Sequence, residues 1–219
     1  MIDTIIFDMD GTILDTERIY LDTWMMAASK FGFSFSLETK LSFNGMKEKE
    51  SINLMAKTFN LSKDKVLEIR KYLNDTRIDM IKKSDSLKKN GYDKLISYLK
   101  QRDYKLAIAS SSTKRRIDLL VDKENIRDDF SLIVSGDSVE KSKPNSEIFD
   151  KTIQMLNSSP SNTYILEDSK AGIMAANNAN ATSVLILDLD KSMDIRKESD
   201  YVFNDLLEFR DFLKEVENG

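Results

Sequence analysis

Asp8 and Asp10 stand two residues apart, directly after the short apolar run Ile5-Ile6-Phe7. If that run is a buried strand and the chain is still extended at Asp8, both carboxylates leave it on the same side. Gly11 follows at once, and glycine enters positive φ without steric cost, so the chain turns there. Two carboxylates held close at a strand's carboxyl end repel each other unless a cation or a proton lies between them. The pair is therefore a metal site, an acid/base pair, or both.

The residue types that the chain lacks narrow the chemistry further. Its 219 residues include no cysteine and no histidine. That removes disulfides, thiolate nucleophiles, thiolate or imidazole zinc sites and Ser-His-Asp hydrolysis together. Catalysis must come from carboxylates, lysines, hydroxyls or a bound cofactor. The 33 basic residues nearly balance the 37 acidic ones, for a net charge of -4, so there is no basic footprint for nucleic acid. No apolar run reaches the length that spans a bilayer, and the amino terminus reads straight into a strand instead of a signal peptide. A soluble cytoplasmic monomer with no membrane partner is the expectation.

Elements must position these groups. Four more apolar stretches resemble the first: Leu106-Ala107-Ile108-Ala109, Leu132-Ile133-Val134, Tyr164-Ile165-Leu166 and Val184-Leu185-Ile186-Leu187, with a weaker one at Tyr201-Val202-Phe203. Helix-like sequence separates them, with apolar stripes such as Tyr92, Leu95, Ile96 and Leu99, or Ile148, Phe149, Thr152, Ile153 and Leu156. That alternation predicts an α/β fold: right-handed βαβ units forming a parallel sheet with helices on both faces. Between the first strand and Leu106 the pattern changes. Stripes at Tyr20, Trp24, Ala27 and Phe31, at Ile52, Met55, Ala56 and Phe59, and at Val66, Ile69, Leu73 and Met80 predict helices without a strand. An insertion of that size is too large for a loop. We read residues 16–83 as an all-helical cap domain and residues 1–15 with 84–219 as the α/β core.

In open parallel sheets, ligands bind outside the carboxyl ends of the strands. Those ends carry Asp8, Asp10 and Thr12, then Ser110-Ser111-Ser112, then Lys143-Pro144 a few residues on, then Glu167-Asp168-Ser169. Acids, hydroxyls and a lysine on one rim suit a phosphoryl group beside a divalent cation. Each has a plainer reading: three serines as a polar loop or helix cap, Glu167-Asp168 as a cap for the next helix, and Lys141 as the relevant lysine in place of Lys143. The proline favours Lys143, because Pro144 suits a first helical turn.

With these residues in order, the chain resembles the haloacid dehalogenase superfamily, in the branch containing β-phosphoglucomutase and small sugar-phosphate phosphatases. Asp8-Met9-Asp10-Gly11-Thr12 matches the first motif of that family, Ser110 the second, Lys143-Pro144 the third and Glu167-Asp168 the fourth. The resemblance covers nearly the whole chain and implies a Rossmann-like core with an inserted cap. It implies Asp8 as the nucleophile that forms an aspartyl-phosphate, and Asp10 as general acid/base. Asp168 is the implied acidic ligand of Mg²⁺, with Glu167 a direct or water-linked partner, beside Asp8 and the backbone carbonyl of Asp10. Ser110, neighbouring amides such as that of Ser111, and Lys143 are implied to hold the phosphoryl oxygens.

In this family the cap selects the substrate. β-Phosphoglucomutases usually carry a histidine shortly after the first motif, where this chain has Tyr20, and present an arginine from a cap loop. Here that loop reads Asn44-Gly45-Met46-Lys47-Glu48-Lys49, and lysine lacks arginine's planar fork. The expected activity is therefore Mg²⁺-dependent hydrolysis of a small phosphorylated metabolite such as a sugar phosphate, with the mutase as the alternative. A non-catalytic receiver-type phospho-acceptor module shares the acids, hydroxyl and lysine but is usually far shorter and lacks the insertion. Cap closure about hinges near Asp15-Thr16 and Lys83-Ser86 is expected to exclude water.

Overall fold

The structure is a computed structural model that describes residues 2–42, 48–189 and 191–218. The cap-loop residues 44–47 lie outside the described residues. The chain divides into two compact units, one running to Asp15 and resuming at Ser86, the other spanning Thr16–Asp85.

The first unit holds a six-stranded sheet. Its strands are β1 (Thr4–Phe7), β2 (Lys105–Ser110), β3 (Leu132–Ser135), β4 (Thr163–Glu167), β5 (Thr182–Ile186) and β6 (Tyr201–Phe203). They lie in the order β3-β2-β1-β4-β5-β6, and every pairing is parallel. All four β1 residues are buried, which explains why the strand reads as a continuous apolar run. Alternate residues point to opposite faces. Ile6, Ala107, Ala109 and Ile165 pack under α7 (Glu147–Met155) and α8 (Lys170–Asn178), against Ile148, Phe149, Ala175 and Ala176. On the other face Phe7 meets Phe130 edge-on at 5.8 Å, and Tyr164 meets Phe209 of α10 (Leu206–Asn218) at 5.8 Å. Both faces are thus covered, as parallel sheets require.

The second unit is helical: α1 (Thr16–Phe31), α2 (Leu37–Ser42), α3 (Glu48–Thr58) and α4 (Lys63–Lys83). Trp24, Ala27, Met55, Val66, Ile69 and Leu73 form its buried core. Trp24 stacks on Phe35 at 4.7 Å, with 7° between the rings. The stripes read from sequence are these faces, although Met80 at the end of the last stripe is only half-buried. Among the described residues, no helix is long and apolar enough to cross a membrane.

Between β2 and β3 runs α6 (Lys114–Lys123), which buries Ile117, Leu120 and Val121. α5 (Tyr92–Lys100) precedes β2, and a short α9 (Met193–Glu198) precedes β6. The chain leaves β1 for β2 on one side and later returns to β4 on the other. The strand order therefore reverses beside β1, which is where open α/β sheets form their binding crevice.

Candidate active site

Asp8 is the first residue past β1, flanked by the ends of β2 and β4. Its amide donates to the Leu166 carbonyl at 2.9 Å, which continues the β1–β4 ladder by one residue. The chain then closes on itself. The amides of Ile13 and Leu14 donate to the Met9 carbonyl at 3.2 and 3.0 Å, and the Gly11 amide donates to the Leu14 carbonyl at 2.8 Å. Gly11 has a φ of 81°, the left-handed turn that the sequence predicts. Met9 and Thr12 are fully buried, so the Asp8–Asp10 segment is pinned from both sides.

Asp8, Glu167 and Asp168 gather in one place, each offering a carboxylate oxygen within 4.8 Å of the others. Residues near the two ends of the chain thus share one site. Lys143 sits among them, with Nζ 2.6 Å from Asp8 Oδ1, 2.6 Å from Glu167 Oε1 and 3.3 Å from the Ala109 carbonyl. An ammonium has three donors, and these contacts use all three. The resemblance implies that Lys143 holds phosphoryl oxygens; the structure places its ammonium between Asp8 and Glu167, and reaching a phosphate requires it to exchange one of these partners. Lys141, the competing lysine, is exposed.

Burial is the main influence on both charges. It pushes the Asp8 carboxyl up to about 8, opposed by Lys143 and reinforced by the neighbouring Glu167 and Asp10 charges. Burial also works against the Lys143 ammonium, yet the Asp8 and Glu167 carboxylates outweigh it and hold Lys143 above the ordinary lysine range. Once Asp8 ionises, three acids against one ammonium leave an excess of negative charge in a desolvated place. Oxygen donors and that excess fit a hard divalent cation.

Glu167 is only 1 % exposed and almost fully engaged. Its Oε2 accepts from the amides of Asp168 (3.0 Å) and Ser169 (3.2 Å) and from the Ser169 hydroxyl (3.0 Å). It does not cap α8; Ser169 does, accepting from the Gly172 amide at 3.1 Å. With so many partners, Glu167 is better placed to hold Lys143 and the Asp168 backbone than to ligate directly. Gly172 makes this possible. A Cβ at Gly172 would lie 1.8 Å from the Glu167 carboxyl carbon. Gly172→Ala is therefore expected to dislodge Glu167 and to weaken divalent-cation affinity by roughly 10–100-fold, the usual effect of losing an outer partner of a metal site. Calorimetric titration with Mg²⁺ checks it.

The serines separate clearly. Ser110 is buried, and its Oγ accepts from the Ser112 amide at 3.2 Å. Ser111 is exposed and lines a small pocket with Gly136 and Lys143. Ser112 is the one that meets an acid, donating from Oγ to Asp10 Oδ2 at 2.7 Å. The loop is braced from β3: the Gly136 amide donates to the Ser112 carbonyl at 3.0 Å, and a Cβ at Gly136 would lie 2.4 Å from the Ser111 oxygen. Pro144 departs from the expected first helical turn. It lies in the turn ahead of α7, after a cis Lys143–Pro144 bond, because α7 starts only at Glu147.

The other oxygen of Asp10 is taken by a residue that sequence reasoning missed. Arg116 Nη2, in the first turn of α6, lies 2.7 Å from Asp10 Oδ1. Its only sequence signal is position, since the helix after β2 begins on the same rim as the loop after β1.

The profile of the haloacid dehalogenase-like hydrolase family matches residues 5–186. The chain belongs to that family. It is 28% identical over 178 residues to a phosphorylated carbohydrates phosphatase of Thermotoga maritima, covering 81% of each chain. It is also 28% identical over 187 residues to a β-phosphoglucomutase of Bacillus subtilis, covering 82% of this chain and 81% of that one. The fold superposes on the crystal structure of a β-phosphoglucomutase from Clostridium difficile with a TM-score of 0.80 at 25% identity, covering 100% of this chain and 98% of the other. The chain is thus an enzyme of the phosphatase and phosphomutase group of this family.

Proposed function

We propose that the protein is a Mg²⁺-dependent phosphatase acting on a small phosphorylated metabolite, a sugar phosphate in class. The observation that carries this is the placement of Asp8 beside Asp168, Glu167 and Lys143 at the point where strand order reverses. The relative named for phosphorylated carbohydrates supports the substrate class.

In the first step an Asp8 oxygen attacks phosphorus. The bond from phosphorus to the ester oxygen breaks, its electron pair stays on that oxygen, and Asp10 supplies the proton that lets the alcohol leave. In the second step a water gives its proton to Asp10 and its oxygen to phosphorus. The bond from phosphorus to Asp8 breaks, which releases inorganic phosphate and restores both acids. Asp8, Asp168 and the Asp10 carbonyl would hold Mg²⁺, which offsets the negative charge shared by nucleophile and phosphate. The Ser110 hydroxyl and the amides after β2 would receive the phosphoryl oxygens.

The test is a panel of phosphorylated sugars and other small phosphate esters, assayed with Mg²⁺ and again after chelation. Release of phosphate from a sugar phosphate, lost on chelation and restored by Mg²⁺, is expected. Asp10→Asn is expected to lower turnover by roughly 10²–10⁴-fold, the usual worth of a positioned acid/base. Metal-independent hydrolysis would overturn the reading. The mutase reading has its own support in the relatives named for that activity. Interconversion of β-glucose 1-phosphate and glucose 6-phosphate, faster than release of phosphate, would favour it.

A further inference from the structure

We infer that Arg116 is a positioning residue that commits one particular oxygen of Asp10, Oδ2, to proton transfer. The inference rests on the phosphatase reading, in which Asp10 serves as acid and base.

The two oxygens of Asp10 have chemically different partners. Oδ1 faces Arg116 Nη2 at 2.7 Å, and Oδ2 faces the Ser112 hydroxyl at 2.7 Å. A guanidinium carries only donors and has no lone pair to offer, so the oxygen it holds must remain an acceptor throughout the cycle. A serine hydroxyl is both donor and acceptor, and it can rotate to serve either form of the oxygen beside it. Whenever Asp10 carries a proton, that proton is therefore excluded from Oδ1 and accommodated at Oδ2.

The supports of the two partners are rigid. Arg116 lies in the first turn of α6, anchored by the buried Ile117 beside it, and the Lys114 amide of that turn donates to Asp137 Oδ2 at 2.7 Å. Ser112 sits in the loop that Gly136 braces through its 3.0 Å hydrogen bond. The Asp10 side chain is 15% exposed and that of Arg116 35%, so the pair is sheltered but borders solvent. Charge-assisted contacts of this length outlast neutral ones and fix direction as well as distance. An acid whose proton could sit on either oxygen would spend part of its time aimed away from the ester oxygen. Proximity effects make such misalignment costly.

The experiment compares kcat/KM for two esters of similar shape, phenyl phosphate and p-nitrophenyl phosphate, in wild type, Arg116→Met, Arg116→Lys, Asp10→Asn and Arg116→Met with Asp10→Asn. Phenol leaves poorly without a proton, whereas nitrophenol leaves readily as its anion. If Arg116 acts through Asp10, Arg116→Met lowers kcat/KM for phenyl phosphate by on the order of 10²-fold and for p-nitrophenyl phosphate only a few-fold. Arg116→Lys, which keeps the charge and donor N–H groups but not the planar fork, recovers part of the loss. Arg116→Met adds nothing further once Asp10→Asn is present. Equal losses on the two esters, or an undiminished effect in the Asp10→Asn background, would show a structural role and overturn the inference while leaving the phosphatase reading intact. If the wild type hydrolyses neither these esters nor the sugar phosphates, that reading falls and this inference with it.

Discussion

Asp8→Asn is expected to remove at least about 10⁴-fold of the turnover, leaving a folded protein. The substitution keeps the shape of the side chain and takes away only the nucleophilic charge. Its structural consequence has the opposite sign to its catalytic one. In the metal-free protein Asp8 is desolvated, with Glu167 and Asp10 nearby, and its carboxyl is pushed up to about 8 from its ordinary value of 3.8. The unfolded chain gives up this proton near 3.8, whereas the folded chain keeps it until about 8. Between those values the folded state binds more protons, so metal-free stability falls as pH rises through that window. The asparagine variant carries no such proton, and its stability profile should be flatter between the two pH values. Thermal unfolding in chelator across that range, beside a turnover assay with Mg²⁺, checks both halves. An inactive variant that also unfolds more readily than wild type at pH 7 would show that Asp8 holds the fold together, contrary to this account.

Lys143→Met is expected to produce the largest loss of stability of any single change in the site. The Asp8 and Glu167 side chains are 10% and 1% exposed, and both lie 2.6 Å from the same ammonium. Removing the ammonium leaves the buried Glu167 carboxylate uncompensated, and breaking a buried pair in this way costs about 3–5 kcal/mol. Methionine fills the volume without clashing with Phe149, whose ring lies 4.7 Å below Nζ, so packing should contribute little to the change. Mg²⁺ should restore part of the lost stability, because a bound cation offsets the same carboxylates. Urea unfolding with chelator and with saturating Mg²⁺ separates the two contributions. A loss below about 1 kcal/mol in chelator would mean that the two acids are not sharing the lysine as described. Turnover should fall as well, by roughly 10²–10³-fold, the usual cost of losing one electrostatic support of the reacting group.

Much of the architecture was legible in sequence for a physical reason. Parallel strands buried on both faces leave short unbroken apolar runs, and all six such runs correspond to strands of one sheet. Helices that bury one stripe leave a period, and α1, α3, α4, α5 and α7 are readable by it. α2 and α9, each six residues long, leave no such period. α9 buries only Ile195, and one buried residue makes no period.

The site divides along the same line. Asp8, Glu167 and Asp168 stand at strand ends, so the sheet order alone brings them together. Ser111 and Ser112 differ by which way a loop turns, and three identical residues in a row carry no sign of that. Arg116 reads in sequence as one of three basic residues opening a helix, Lys114-Arg115-Arg116, and nothing but three-dimensional placement singles it out for Asp10. Gly172 is similar: its role is to be absent from the space that Glu167 fills, and no residue-type argument reveals a space.

The most direct test is to quench the enzyme in acid during turnover of its best phosphate ester with Mg²⁺ and to map its peptides by mass. The account predicts one added phosphoryl group on the peptide containing Asp8, removed by alkali and absent from Asp8→Asn. Sustained turnover with no phosphoryl group on that peptide at any quench time, or one found on another residue, would contradict it.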